Sequence, residues 1–385
     1  MTEANGTLLA DLPDRMARAR ELAAEQGIGA LLVTPGPDLR YLCGYAAPAL
    51  ERLTCLIVRT DGDPVLVVPA LEAAAAQASP AGELGLQAVT WQETEDPYAL
   101  VGSLLGDSGA IAAPATGGQP RIGLDNHMWA EKVLRLRDAL PGAVQVLAGD
   151  VLAPLRMRKS AAEVAALQRA GAAIDAVHAA MADWLRPGRT EAEVAADISD
   201  AIRAAGHATV DFVIVGSGPN GASPHHEVSD RVLAVGDPVV VDIGGTMPDG
   251  YCSDSTRTYS IGAPPPDFLA SYQALEAAQW AAVQQVRPGV TCEAIDAAAR
   301  DRLTADGWGE YFIHRTGHGI GLETHEEPYL VAGNTLPLAE GYAFSVEPGV
   351  YLPGRHGARI EDIVVCGDAG PLLMNNRPRG LVVLD

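Results

Sequence analysis

Beyond residue 160 the chain carries two copies of one pattern about 100 residues apart, and this constrains its fold more than any other feature. LRPGRTEAEVAADISDAIRAAGH, starting at Leu185, aligns with VRPGVTCEAIDAAARDRLTADGW, starting at Val286, at an offset of 101. At the same offset Gly216-Ser217-Gly218 lies over Gly317-His318-Gly319, and PHHE (Pro224–Glu227) pairs with THEE (Thr324–Glu327) at an offset of 100. VGDPVVVDIG then matches EGYAFSVEPG, so Asp242 follows Gly236 as Glu347 follows Gly341. A period this long exceeds the ~20–50 residues of solenoid repeats. It predicts two α/β halves related by a pseudo-two-fold axis, with a site between them.

The acids fall where that axis would bring them together. VVVDIGG carries Asp242, YCSDSTRTYS carries Asp254, FSVEPG carries Glu347 and ARIEDIVV carries Glu361, with Asp254 and Glu361 expected to end their strand-like runs. Acids among apolar strand neighbours are seldom unpaired. Four carboxylates converging in a poorly solvated site repel one another by several kcal/mol. Divalent cations, which take hard oxygen ligands, would relieve that repulsion. His318 adds an imidazole where the first half has Ser217. Four carboxylates and one imidazole suit two ions about 3.5 Å apart sharing a water or hydroxide.

Other chemistries fail on context. Gly216-Ser-Gly-Pro-Asn-Gly221 spells GxGxxG after FVIV, but Pro219 and ASPHHE do not open the helix that dinucleotide binding requires. His226-Glu227 and His325-Glu326 lack the second histidine of HExxH, and no GxSxG elbow occurs. The five cysteines form no CxxC pair, and Cys252 reads as a packing residue. His226 is expected at the pocket rim or in solvent, and Tyr251 and Tyr351 in the core or pocket wall. A net charge of −22 argues against nucleic acid or an anionic membrane as partner. No apolar run reaches the ~20 residues of a membrane span. The opening MTEANGTLLADLPDRMARAR lacks the basic-then-apolar order of a secretory leader, so a cytoplasmic location is expected.

At 385 residues the chain is long for one core and suggests two domains. Leu12, Met16, Ala19 and Leu22/Ala23 form one helical stripe ending before Gly27. GALLVTP reads as a strand, LTCLIVRTDGDPVLVVPALE as a hairpin broken at DGDP, and RIGLDNHMWAEKVLRLRDAL as a strand and helix. No cluster of histidines, cysteines or acids stands out in this region. A boundary is expected in VLAPLRMRKSAAE, where Ser160 and Glu163 spell a capping box. An Ala-rich helix to Trp184 follows, Pro187-Gly188 stops it, and Thr190 with Glu193 caps the next.

Together, DIGGTMPDGYCSDSTRT, HRTGHGIGLETHEEP, FSVEPGVY and RIED resemble the metallopeptidase family that includes prolidase, aminopeptidase P and methionine aminopeptidase. DLRYLCGY and the DGDP hairpin resemble its creatinase/prolidase-type N-terminal domain, favouring the proline-specific branch. The resemblance implies an α/β (α+β) protein with a creatinase-type domain at 1–152 and a pseudo-two-fold pita-bread catalytic domain at 158–385. It implies that Asp242, Asp254, His318, Glu347 and Glu361 hold two divalent ions, Mn²⁺ foremost with Co²⁺ or Zn²⁺ as alternatives. Asp254 and Glu361 would bridge them, and Glu347 would also serve as general base for a bridging water or hydroxide nucleophile. His225 and His325 would bind the substrate carbonyl or carboxylate, and Arg359 would support the site electrostatically. The implied reaction is hydrolysis of the bond before proline, in a dipeptide or a longer peptide, by a homodimer. Another pita-bread hydrolase or lyase (ectoine-derivative hydrolase, creatinase-like) and a non-catalytic binding module are the alternatives. One departure is the 12-residue step from Asp242 to Asp254, against the 11 of many members. An extra residue in the TMPDG turn or a bulge would absorb it.

Overall fold

The computed structural model describes residues 8–107 and 118–384, which separate into two compact units, one reaching to Arg156 and the other starting at Met157. In the first unit helix α1 (Leu12–Glu25) buries Leu12, Met16, Ala19 and Ala23, the stripe expected from their spacing. Strands β1 (Ile28–Val33), β2 (Cys55–Arg59), β3 (Val65–Pro69), β4 (Gln87–Trp91), β5 (Arg121–Leu124) and β6 (Val144–Leu147) form one mixed sheet in the order β4-β3-β2-β1-β5-β6. β2 and β3 make the DGDP hairpin, with Cys55 opposite Val67. The fold also gathers Asp38, Asp125 and His127, which sequence spacing concealed. These acids have protein partners: Asp38 pairs with Arg156 at 2.8 Å, and Asp125 accepts from the Thr34 and His127 amides at 2.7 Å each.

The second unit opens with two capped helices. In α2 (Ala161–Ala179) the Ser160 hydroxyl accepts from the Glu163 amide at 3.3 Å, and Glu163 accepts from the Ser160 amide at 2.9 Å. In α3 (Glu191–Ala204) Thr190 and Glu193 repeat the exchange at 3.1 and 3.0 Å. α2 stops short of the expected Trp184, because the Ala180 amide bonds back three residues to the Val177 carbonyl and a separate turn, Met181–Trp184, follows. α2 and α3 pack on β7 (Thr209–Ser217), β8 (Pro238–Thr246) and β9 (Cys252–Ile261) through Ile174, Val194, Ile198, Val241 and Ile243.

The second half repeats this order. α4 (Pro266–Gln285) and α5 (Cys292–Ala305) precede β10 (Gly317–Gly319), β11 (Glu326–Leu330), β12 (Ala343–Val346), β13 (Gly349–Leu352), β14 (His356–Arg359), β15 (Asp362–Gly367), β16 (Gly370–Leu373) and β17 (Val382–Leu384). The sheet orders are β17-β9-β8-β7 and β11-β10-β12-β15-β16, with β13 and β14 a separate hairpin. The repeat is visible bond by bond. The Gly188, Glu191 and Ala192 amides donate to Leu233, Arg231 and Ser229, and the Gly289, Cys292 and Glu293 amides donate to Leu338, Leu336 and Asn334. No helix among the described residues is long and apolar enough to cross a membrane.

Candidate metal centre

Strand register explains why the acids meet. β8 and β9 pair without a bulge from Pro238↔Ser260 to Thr246↔Cys252, placing Asp242 opposite Thr256 and Asp254 opposite Gly244. Side chains alternate faces along a strand, so Asp242 and Asp254 project from the same face. The long step between them is taken up in the turn at 247–251, closed by the Met247 amide on the Tyr251 carbonyl at 2.9 Å. Neither Asp254 nor Glu361 ends a strand as expected. Asp254 is the third residue of β9, and Glu361 lies where the chain leaves β14, paired with β13, and enters β15, paired with β12. At that switch the Glu361 amide bonds the Thr256 carbonyl at 3.1 Å, and the Thr256 hydroxyl donates to Glu361 at 2.8 Å.

His318 sits between two glycines because β10 runs against its neighbours at close range. A Cβ at Gly317 or Gly319 would collide with the Ser345 or Glu327 carbonyl. His318 Nδ1 lies 3.1 Å from the Gly319 carbonyl, which can only accept, so this nitrogen is protonated, and Nε2 faces the acids, as a donor to Glu347 when the ring is charged and as a ligand atom when it is not. Nε2 is 3.0 Å from Glu347 and 3.6 Å from Asp254. Asp254, His318 and Glu361 each present a ligand atom within 4.8 Å of the others, and all three are buried. Arg359, buried alongside, contacts Asp242 at 2.5 Å through Nη2. Its Nη1 donates to the Tyr351 hydroxyl at 2.8 Å and the Pro224 carbonyl at 3.2 Å, and its Nε to Thr256 at 3.1 Å.

One arginine does not neutralise this cluster. Burial, followed by repulsion from Glu361, Asp242 and Glu347, drives the Asp254 pKa well above the carboxylate range. Burial and then Glu347 and Asp242 do the same to Glu361. Burial also pushes Glu347 up, but the hydrogen bond and charge of His318, with His314 and Arg359 behind, outweigh it and hold the carboxyl at about 2. Asp242 Oδ1 and Glu361 Oε1 are buried without a hydrogen-bond partner. Such orphaned anionic oxygens are costly unless a cation meets them. An imidazole lone pair and hard oxygens, some unsatisfied, are a donor set that fits divalent ions.

The cluster forms one wall of a cavity of about 940 Å³, also lined by Phe212, Ile214, His225, His314, Arg315 and His325. His325 stacks edge-on against His318, ring centroids 4.0 Å apart, and burial with the His318 charge lowers its pKa to about 4. It is a neutral imidazole at neutral pH. Sequence reasoning quoted His314 and Arg315 within the HRTGHG motif but gave them no role. His314 Nδ1 bonds the Arg315 carbonyl at 2.7 Å, leaving Nε2 to accept from the Tyr351 hydroxyl at 2.9 Å. Tyr351 therefore links His314 to Arg359, and burial raises its pKa to about 12. That role exceeds the wall position expected for it.

His226 also departs from expectation, being neither rim nor solvent residue. Its Nε2 lies 2.8 Å from the fully buried carboxylate of Glu191. Glu191 further accepts from the Ser217 amide and hydroxyl at 2.7 and 2.6 Å, from Asn220 at 3.1 Å and from the Ser229 hydroxyl at 2.7 Å. One carboxylate thus ties down both ends of the loop that presents His225. In the other half Asp296 accepts from the Thr316 amide and hydroxyl at 3.0 and 2.8 Å, just before His318. All five cysteines are buried and unpaired, and burial raises the Cys252 pKa to about 11, which suits a packing role.

Residues 165–368 match metallopeptidase family M24, and residues 15–158 match the creatinase/prolidase N-terminal domain. The "Probable dipeptidase PepE" of Mycobacterium tuberculosis is 55% identical over 370 residues, 96% of each chain. The "Xaa-Pro dipeptidase" of Lactobacillus helveticus is 36% identical over 343 residues, covering 86% of this chain and 87% of that one. Among solved structures, dipeptidase PepE from Mycobacterium ulcerans superposes with a TM-score of 0.91 at 56% identity, covering 98% of both chains. Recombinant prolidase from Thermococcus sibiricus superposes with a TM-score of 0.89 at 34% identity, covering 97% of this chain and 99% of that one.

Proposed function

The chain belongs to metallopeptidase family M24, and we propose that it is an Xaa-Pro dipeptidase working with two divalent cations, Mn²⁺ foremost. The observation that carries this reading is the cluster of Asp254, His318 and Glu361 within ligand distance, beside two buried carboxylate oxygens with no partner. Asp242, Asp254, His318, Glu347 and Glu361 would hold the ions. When bound, such ions supply an activated water and polarise the scissile carbonyl.

The remaining work falls to the chain's own side chains. Glu347, ionised and hydrogen-bonded by Ser345 at 3.0 Å, accepts the proton of the attacking water and passes it to the departing proline nitrogen. His325, a neutral N–H donor, and His225 on the facing loop orient the carbonyl and stabilise its oxygen as charge develops there. Arg359 fixes Asp242 and compensates its charge. Proline suits such a site because the bond before it has no N–H and a fixed φ, which ordinary peptide-binding clefts accommodate poorly.

The test is a kinetic panel on metal-reconstituted protein with Xaa-Pro dipeptides, Xaa-Pro-Yaa tripeptides and creatine. Preferential cleavage of the dipeptides is expected. A verified metal-loaded sample that leaves every Xaa-Pro bond intact sinks the reading.

A further inference from the structure

We propose that Asp211 sets the preference for the residue before proline, selecting substrates in which that residue is lysine or arginine. This deepens the Xaa-Pro dipeptidase reading and rests on it. Asp211 reaches the cavity through an irregularity in the sheet. β7 and β8 pair Ile214 with Asp242 and Phe212 with Gly244, but Val210 with Gly245, so β7 carries one extra residue, Asp211. In a regular strand Asp211 would alternate with Phe212 and point to the opposite face. A bulge re-aims such a side chain, and here Asp211, Phe212 and Ile214 all line the cavity.

The register also orders this wall. Ile214 sits opposite Asp242, and Phe212 opposite Gly244, which itself pairs with Asp254 across β9. A Cβ at Gly244 would collide with the Phe212 ring, so the glycine lets that ring lie beside the acids. From the metal centre the wall therefore runs over Ile214 and Phe212 and ends at a carboxylate, about 10 Å along the strand from Ile214. An apolar floor with an anionic end matches a side chain that has an aliphatic stem and a cationic tip. The carboxylate is already oriented: the Thr209 hydroxyl donates to Oδ1 at 2.8 Å and the Thr246 hydroxyl to Oδ2 at 2.6 Å. It is exposed, and no cation among the described residues pairs with it, whereas Asp242 has Arg359. In an Xaa-Pro dipeptide only the Xaa side chain is long enough to arrive there. The α-ammonium is tied to the carbon beside the scissile carbonyl, and the proline ring is compact and uncharged.

The experiment measures kcat/KM for Lys-Pro, norleucyl-proline (the same four-carbon stem without the charge) and Glu-Pro. Metal-loaded wild type, Asp211→Asn and Asp211→Lys are compared, with metal content and Tm measured alongside. The wild type should favour Lys-Pro over norleucyl-proline roughly three- to tenfold, mainly through KM, as befits a solvent-accessible ion pair. Added salt should weaken that preference. In Asp211→Asn the ratio should fall to near one, and in Asp211→Lys the acidic Glu-Pro should overtake Lys-Pro. A wild type with no preference for Lys-Pro overturns the assignment. So does an unchanged ratio in Asp211→Asn, which an equal loss through the shared α-ammonium would give. A wild type that cuts none of the three substrates indicts the dipeptidase reading instead, so the two failures are distinct.

Discussion

Replacing Arg359 by Met is the sharpest test of the charge balance at the centre. Met keeps much of the side chain's volume but removes the partner of Asp242, the donor to Tyr351 and the tie to the Pro224 carbonyl. The Asp242–Arg359 pair is almost solvent-free, with side-chain exposures of 11% and 3%. Removing one partner of a buried ion pair strands the other and costs about 3–5 kcal/mol. For a unit of this size that corresponds to a Tm fall of roughly 6–20 °C. Thermal unfolding should be followed after exhaustive chelation and again after metal loading. The fall should be large without metal and clearly smaller with it, because bound cations replace the lost positive charge beside Asp242. Equal falls in the two states would mean that Arg359 is a packing residue with no share in balancing the acids. A metal-free fall under about 2 °C would show the pair contributes little.

Three further outcomes are expected. Because the native pKa values of Asp254 and Glu361 are raised, the metal-free fold takes up protons that the unfolded chain does not. Its stability should therefore rise as pH falls from those raised values toward ~4, the unfolded carboxylate range, while the stabilisation given by metal shrinks; Tm series with and without chelator read both. Glu347→Gln should remove most turnover while the protein stays folded, and a near-normal kcat would exclude Glu347 as the base. Glu191→Gln, or His226→Ala if the first misfolds, should lower kcat/KM several-fold with metal content unchanged. The same change on a His225→Ala background should add little, and full additivity would mean the Glu191 network does not act through His225.

How much of this could be read from the residues follows from the range of each interaction. The paired halves, and the meeting of Asp242, Asp254, His318, Glu347 and Glu361 on one cavity wall, were legible because a duplicated pattern places Asp242 over Glu347 and Ser217 over His318. The capping boxes were legible because both partners lie within one turn. Glu191 was not: beside an N-cap it reads as an ordinary first-turn acid, and its link to His226 spans 35 residues with no periodic signal. The Arg359–Tyr351–His314 chain likewise depends on a hairpin folding back on a separate loop. The Asp38, Asp125 and His127 cluster escaped notice because its members come from distant segments, 87 residues apart between the two acids.

The turn at 247–251 has a practical corollary. Asp242 and Asp254 are oriented by the unbroken ladder behind them, so the length of the tip is uncoupled from their aim. The tip instead answers to α2: Asp249 pairs with Arg169 at 2.9 Å, and the buried Tyr251 donates to the capping-box Glu163 at 2.7 Å. A change in its composition would therefore register in the helix packed behind the sheet before it reached the aim of the two acids.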